Sequence, residues 1–246
     1  YEVGLDMKFF GNRLGFDFTY YNSNTKNQAM LVDASAPWTQ QWVNAGRITN
    51  KGVELMVYGT LAQTKDLTFN LSVNFAHNKS IVDELADGVN RIYFNGDPNM
   101  PVKVGAVSGG KLGDIYANNL MKRDANGNII IGANGLPMTE TGNGNLEQYL
   151  LDHPIGNIQP DLLMSITPTF TYKGISLTAM FDMKFGGDIV SVSEGMATSV
   201  GTSERTAYRG EYKTVNGVQD WYMVVPGVKA DGSVNTQEVS AQKYYS

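Results

Sequence analysis

The chain has 246 residues, a net charge of −5, 17% charged residues and no cysteine. A disulfide scaffold and a cysteine-based zinc site are therefore excluded, and mild acidity without a basic stripe argues against nucleic acid as a partner. Charge this sparse, against about 25% in typical soluble domains, together with 27 glycines and 13 tyrosines, suits an all-β protein rich in turns. No stretch approaches the roughly 20 apolar residues of a membrane-spanning helix, so any crossing falls to strands.

The chain opens at Tyr1-Glu2-Val3, inside an alternating run, and ends at Tyr244-Tyr245-Ser246. Without an initiator Met or a signal peptide it reads as a piece of a longer protein. Val3, Leu5, Met7 and Phe9 alternate with Glu2, Gly4, Asp6 and Lys8; Gly11-Asn12 turns the chain; Leu14, Phe16, Phe18 and Tyr20 alternate with Gly15, Asp17, Thr19 and Tyr21. This predicts a hairpin with strands near 1–10 and 13–23. Val53, Leu55 and Val57 alternate with Glu54, Met56 and Tyr58, and Thr64-Lys65-Asp66 makes the turn. Leu67, Phe69, Leu71, Val73 and Phe75 then alternate with Thr68, Asn70, Ser72 and Asn74, so strands are expected near 50–62 and 67–79. A third hairpin is expected near 161–173 and 175–187, turning at Lys173-Gly174. Pro168 lies within its first strand and removes a ladder donor, which predicts a bulge or an irregular pair. Long connections are expected around Trp38, from Ser80 to Gln159 and after Gly187, with no helical period in any of them.

A strand rises about 3.3 Å per residue, so about ten residues tilted by about 45° cover roughly 24 Å, close to the roughly 25 Å apolar band of an outer-membrane barrel. Short turns at one end and long loops at the other fit the same architecture. A half-buried antiparallel sheet of a soluble protein gives the same alternation, and periodicity alone does not say which face meets lipid.

Few residues invite a chemical reading. His77 and His153 are the only histidines, and a two-histidine metal site would need a carboxylate between them. Asp124-Ala125-Asn126-Gly127-Asn128 lacks the glycine position and terminal Glu of a calcium loop and reads as a hairpin turn. Asp83-Glu84 and the Glu2/Asp6 pair could serve a glycosidase only if held in a cleft. There is no Gly-x-Ser-x-Gly elbow and no phosphate loop. The expectation is no catalytic residue, no metal, no cofactor and no enzyme. Trp38, Trp42, Trp221 and Tyr222 lie in or beside expected loops and are the candidate substrate-binding residues. The plainer alternative is that they pack the loops or anchor at an interface.

Several segments resemble the SusC/RagA group of TonB-dependent transporters. Tyr1-Glu2-Val3-Gly4-Leu5-Asp6 with Asn12 to Tyr21 is similar to a barrel hairpin of that group. Asn44-Ala45-Gly46-Arg47-Ile48-Thr49-Asn50-Lys51-Gly52-Val53-Glu54-Leu55 is the most specific match. Asn70 to Phe75 with Asn78-Lys79, Tyr172-Lys173-Gly174, Lys184 to Ile189, and Gly227 to Asn235 with Tyr244-Tyr245 follow in the same order. The region from Asp87 to Gly110 is poorest in motifs. The resemblance implies an all-β fold: part of a transmembrane antiparallel β-barrel of 22 strands around a plug, with about six strands in three hairpins supplied here and long extracellular loops. Residues 1–187 would carry the barrel strands with an extracellular loop at about 80–160, and residues 188–246 would form an extracellular region leading to further strands. The implied function is TonB-dependent import, across the bacterial outer membrane, of nutrients such as glycan or peptide fragments. The implied partners are a SusD-like surface lipoprotein, with residues 222–235 as its candidate contact, TonB through N-terminal regions outside this chain, and outer-membrane lipid. A soluble β-sandwich binding module or adhesin is the alternative; a β-rich glycoside hydrolase is weaker still.

Overall fold

The computed structural model describes residues 1–33, 40–94 and 100–246. They fall into two compact units: Tyr1–Pro98, Lys103–Tyr116 and Pro154–Asp188 form the first, and Asn99–Val102, Ala117–His153 and Ile189–Ser246 the second.

The first unit is built on one antiparallel sheet. Its strands are β1 (Glu2–Phe9), β2 (Leu14–Asp33), β3 (Gln40–Gln63) and β4 (Leu67–Glu84), each paired with the next. Between β4 and the return to the sheet lie β5 (Arg91–Tyr93), β6 (Val102–Val107), β7 (Asp114–Ala117), the helix α1 (Leu146–Asp152) and β8 (Gly156–Asn157). Strand β9 (Pro160–Tyr172) then pairs with β4, and β10 (Ile175–Thr178) and β11 (Phe181–Gly186) both pair with β9. All six expected strands are present and in the expected order. The barrel is not closed: β1 lies at one edge and β10 and β11 at the other.

The turns follow their residues. Lys173 and Gly174 both take positive φ, 47° and 85°, as a two-residue type I′ turn requires. Pro168 acts as expected. Its register partner would be Ala179, whose N–H donates to the Pro168 carbonyl at 3.2 Å. The proline has no N–H to return, and regular pairing lapses there. The register is unchanged on either side, Thr178 opposite Thr169 and Phe181 opposite Ile166. One long strand is thus divided into β10 and β11 without a bulge.

Register sorts the side chains. Leu5, Phe18, Leu55, Phe75, Met164 and Met183 are successive partners across the sheet, as are Met7, Phe16, Val57, Val73, Ile166 and Phe181. The intervening row is Asp6, Asp17, Met56, Asn74, Ser165 and Asp182. One face is therefore apolar across every strand and the other mostly polar. Leu71 and Phe181 do not share a core between two sheets: they sit on one face of one sheet, and Phe181 is 58% exposed. The sandwich alternative fails on this point.

Two expectations need correction. The connection around Trp38 is not a loop for most of its length. Strands β2 and β3 stay paired out to Asp33 opposite Gln40, because Thr25, Leu31, Val43 and Trp42 are as fit for a strand as the residues below them. Trp38 is one of residues 34–39, which lie outside the described residues. The ladder skips one pair between Lys26/Arg47 and Gln28/Ala45, where Asn27 and Gly46 take φ of 55° and 82°; asparagine and glycine are the residues that tolerate this. The long connection from Ser80 to Gln159 is likewise structured. It contains the sheet β5-β6-β7-β8 and a small core in which Val82, Leu85 and Ala106 pack with Val43, Ile92 and Leu112. Ile115 and Tyr116 are also almost fully buried.

The second unit contains α1, the helices α2 (Val192–Ser199) and α3 (Ala241–Tyr245), and the sheet β12 (Glu211–Val215), β13 (Val218–Val224) and β14 (Glu238–Ser240). Each helix is capped by a side chain, Asn145 on α1, Ser191 on α2 and Ser240 on α3, which supplies an acceptor for an otherwise unpaired N–H. Helices of this length are too short to print a 3.6-residue period on the sequence. The unit's core joins the two distant stretches: Ile131 packs with Val225 and Val239, flanked by Ile129, Leu136 and Tyr244. The boundaries drawn from sequence thus miss that residues 117–153 of the long connection pack with residues 189–246.

Candidate functional site

The polar face of the barrel sheet holds a hollow of about 460 Å³. Asp17, Thr19, Glu54, Asn74, Ser165 and Asp182 line it. Asp6 and Asp17 are direct partners across β1 and β2, a like-charge juxtaposition that costs stability and is tolerable on a hydrated wall. Lys8 lies 3.8 Å from Asp6. Hydrogen bonds run between strands on this face: Asn74 to Ser165 at 3.0 Å and Thr60 to Asn70 at 2.8 Å. Met56 and Leu163 interrupt its polarity.

The Asn44 to Leu55 run lies where β3 meets the outer part of β4, and the structure gives its residues separate jobs. Arg47 Nε stands 3.3 Å from Asp83 Oδ2. Thr49 Oγ1 donates to the same carboxylate at 2.5 Å and accepts from Asn24 Nδ2 at 2.7 Å. Ser80 Oγ donates to Asn50 Oδ1 at 2.5 Å, and Asn78 Nδ2 donates to Ser80 Oγ at 3.0 Å. Tyr21 lies over Gly52, its hydroxyl donating to Asn78 Oδ1 at 3.0 Å. A side chain at position 52 would overlap that ring. Asp83 thus ties Arg47 and Thr49 of β3 to β4.

The apolar face has a defined extent. On β4 it runs from Leu67 to Phe75 and His77, about ten steps and roughly 24 Å along the normal at a tilt of about 45°. The next row on that face is Asn22, Lys51 and Lys79, which ends the apolar band. Beyond it, on the same side of the sheet as the polar hollow, lies a second hollow of about 480 Å³, mostly apolar, that includes Leu31, Ile48, Leu85, Ile92, Tyr93 and Ile158. Tyr93 packs edge-on to Tyr116 at 6.3 Å. Burial pushes the hydroxyls of both up in pKa; the charge of Asp114 adds to this at Tyr116, and that of Arg91 opposes it at Tyr93.

Of the candidate binding residues, Trp42 belongs to the first unit and Trp221 and Tyr222 to the second. Trp38 lies outside the described residues. Trp42 is on β3, 72% exposed, opposite Leu31 of the apolar hollow. Trp221 and Tyr222 are neighbours on β13 and so point to opposite faces. Trp221 packs against Tyr212 at 5.4 Å. Tyr222 donates its hydroxyl to Val218 at 3.4 Å. His77 Nδ1 is 2.5 Å from the Asp161 carbonyl, and His153 Nδ1 2.8 Å from that of Tyr149. Asp124 closes its own turn, accepting from the N–H groups of Asn126 and Asn128 and from the Asn128 side chain, as the hairpin-turn reading expects. Among the described residues no three histidine, aspartate or glutamate side chains are grouped as metal ligands. The segment 222–235 is not a free loop. Met223, Val225 and Asn235 are buried in the second unit, whereas Val224, Pro226 and the turn from Lys229 to Val234 are exposed. Sequence reasoning missed the apolar hollow, because its lining comes from five separated stretches, one of them the motif-poor region after Asp87.

A family model described as TonB dependent receptor-like, beta-barrel matches residues 1–216. TonB-dependent receptor P3 of Formosa agariphila is 25% identical over 205 residues, which cover 77% of this chain and 20% of that protein. TonB-dependent receptor SusC of Bacteroides thetaiotaomicron is 26% identical over 226 residues, 85% of this chain and 21% of that protein. Among solved structures, the RagAB peptide importer in its closed-closed state is similar in fold, with a TM-score of 0.52 at 24% identity over 76% of this chain and 21% of its own. The RagAB peptide transporter has a TM-score of 0.51 at 25% identity over 74% and 20%. The chain spans about a fifth of the length of these relatives. A continuous apolar face on a strand sheet of membrane-spanning reach, the ordered motifs on β3 and β4 and the family match agree: the chain belongs to the TonB-dependent receptor-like β-barrel family, whose place is the outer membrane.

Proposed function

We propose that this chain forms part of the wall and mouth of a TonB-dependent transporter that imports nutrient fragments, with peptides as the favoured class. The observation that carries the reading is the two-faced sheet: rows of apolar partners unbroken from β1 to β11 on one side, a hydrated hollow lined by Asp17, Glu54, Asn74 and Asp182 on the other. Lipid accounts for the first face and a water-filled lumen for the second. Peptide is favoured because the similar solved structures are those of the RagAB peptide importer; glycan fragments are the alternative from the SusC/RagA resemblance. The role is passage and not catalysis.

In this reading the barrel strands among residues 1–187 supply the wall, and residues 188–246 belong to an extracellular region. A SusD-like surface lipoprotein is the partner there, and the exposed turn from Lys229 to Val234 is what remains of its candidate contact. TonB acts through other regions of the protein. Of the candidate aromatics, Trp42 is retained as a binding residue because of its exposure beside Leu31. The test is uptake of labelled peptide and glycan mixtures by cells carrying the full-length protein, with and without TonB. Accumulation of peptide that vanishes without TonB supports the reading. Uptake of neither class in the presence of TonB overturns it.

A further inference from the structure

The row that ends the apolar band carries more positive charge than a boundary needs. Lys51 and Lys79 are direct partners across β3 and β4, on the face that also carries Val53, Leu55, Val73 and Phe75. Like charges held opposite each other destabilise a sheet. A third cation joins them. Lys111 pairs with Ile81 in an isolated antiparallel bridge, and Ile81 is two residues from Lys79, so all three lysines stand on one face. Lys79 and Lys111 also line a notch of about 140 Å³, which opens beside β4 once its pairing with β9 has ended at Ala76 opposite Leu163. All three are exposed, and among the described residues none of them forms a salt bridge. The nearby carboxylates are engaged elsewhere. Asp83 holds Arg47 and Thr49. Asp114 accepts from the backbone N–H of Lys111 and from the Asn157 side chain. Asp161, which also lines the notch, has its carboxylate against Gly186.

The row stands at the end of the strands away from the tight turns at Gly11-Asn12, Thr64-Lys65-Asp66 and Lys173-Gly174, which is the outer end in a barrel of this kind. Toward the turns, Tyr20, Val53 and His77 form the next row on the same face, and Leu55 and Phe75 lie in the one after. Uncompensated positive charge thus sits directly above continuous apolar surface. An amphiphile with an anionic head and apolar chains is complementary to both.

We propose that Lys51, Lys79 and Lys111 bind the phosphate of an outer-leaflet lipid headgroup, whose acyl chains run along the face past Val53, Leu55 and Phe75. The inference rests on the reading of that face as lipid-facing and adds which headgroup sits there and what holds it. A phosphate between Lys51 and Lys79 replaces their repulsion with charge-assisted hydrogen bonds. Lysine suits the level, because its stem lies along apolar surface while its ammonium reaches the headgroups. The adjoining apolar surface favours a lipid over a free anion.

The test uses the purified full-length protein in detergent and native mass spectrometry, with two probes: monophosphoryl lipid A and the same lipid stripped of its phosphate. The wild type is expected to bind the phosphorylated form about tenfold more tightly. Lys51→Gln combined with Lys79→Gln should remove that preference, and Lys51→Arg combined with Lys79→Arg should keep it. Lys65→Gln combined with Lys173→Asn, which removes the same charge at the turn end, should leave it unchanged. All four positions are exposed, and normal heat-modifiable migration confirms that each barrel is folded. Equal wild-type binding of the two lipids, or binding of neither, overturns the site while leaving the lipid-facing reading intact. So does a preference that the glutamine pair keeps, or that the folded arginine pair or the turn-end pair loses. Displacement of the lipid by millimolar inorganic phosphate assigns the lysines to a free anion and overturns the proposal likewise. A protein that stays monodisperse in buffer without detergent overturns the reading of the apolar face, and this inference with it.

Discussion

Replacing Gly52 by alanine tests the account of the β3 motif directly. The new methyl group would overlap the Tyr21 ring and stand 2.6 Å from the His77 carbonyl oxygen. The ring can rotate away, but the carbonyl belongs to the backbone of β4, so relief requires the strands to part. Overpacking of this kind costs about 1–3 kcal/mol. Moving Tyr21 also breaks its hydrogen bond to Asn78, worth about 0.5–1.5 kcal/mol. Removing a glycine from a strand returns about 0.5–1 kcal/mol, leaving a net loss of about 1–3 kcal/mol. Gly15 is the control. It lies under Tyr58 in the same way, and its new methyl group would be 2.5 Å from Tyr58 Cζ, yet it meets only the far end of that side chain. Tyr58 can move, and Gly15→Ala should be close to neutral. In a Tyr21→Ala background Gly52→Ala should cost about 1 kcal/mol less, the size of coupling expected for residues in contact. Urea unfolding of the folded full-length protein in lipid vesicles, followed by tryptophan fluorescence, measures all of these. A neutral Gly52→Ala, or a Gly15→Ala equally damaging, would refute the reasoning.

Leu71 lies one pair from the centre of the apolar band on β4, and Leu71→Arg should cost about 2–4 kcal/mol in the full barrel, whereas Asn70→Arg, on the polar face, should lose little beyond its bond from Thr60; barrel stability in vesicles decides, and the reverse ranking would exchange the two faces. Val225 is 1% exposed in the second unit's core, so Val225→Ala should cost about 2 kcal/mol and reduce amide protection from Ile129 to Leu136, while substitutions within the Lys229 to Val234 turn should leave that protection unchanged. The Asn128 side chain and the turn's N–H groups hold the Asp124 carboxyl below its ordinary pKa. A group depressed on folding stabilises above its unfolded pKa and loses that contribution as pH falls through the folded one. Hydrogen exchange at Gly127 should therefore be constant near neutrality and accelerate below the ordinary carboxylate range, and Asp124→Asn should abolish the acceleration.

Much of this protein is legible in its residues because a strand alternates with a period of two, whatever surrounds it. Phe16, Phe18, Leu55, Val73 and their partners declare one face; Asp17, Glu54 and Asn74 declare the other. Lys173-Gly174 states its turn and Pro168 its interruption, since both effects are local to a few backbone atoms. The short helices and the small sheets between β4 and β9 leave no such trace, because they are too brief for a period to show and are held by side-chain caps and distant contacts. Aromatic type and a place in or beside an expected loop say nothing of direction: Trp221 and Tyr222 are turned to opposite faces by the pleat of one strand.

The chain's own alternation and motif order determined the class, the strand order and the two faces of the wall, for these depend on neighbours along the backbone. Tertiary structure alone decided that the β2–β3 hairpin runs on as paired strand, that Val225 of one stretch closes over Ile131 of another, and that Leu31, Ile48, Tyr93 and Ile158 meet around one hollow. Those outcomes rest on contacts between residues far apart in sequence, and a local pattern carries no information about which distant surface will cover it.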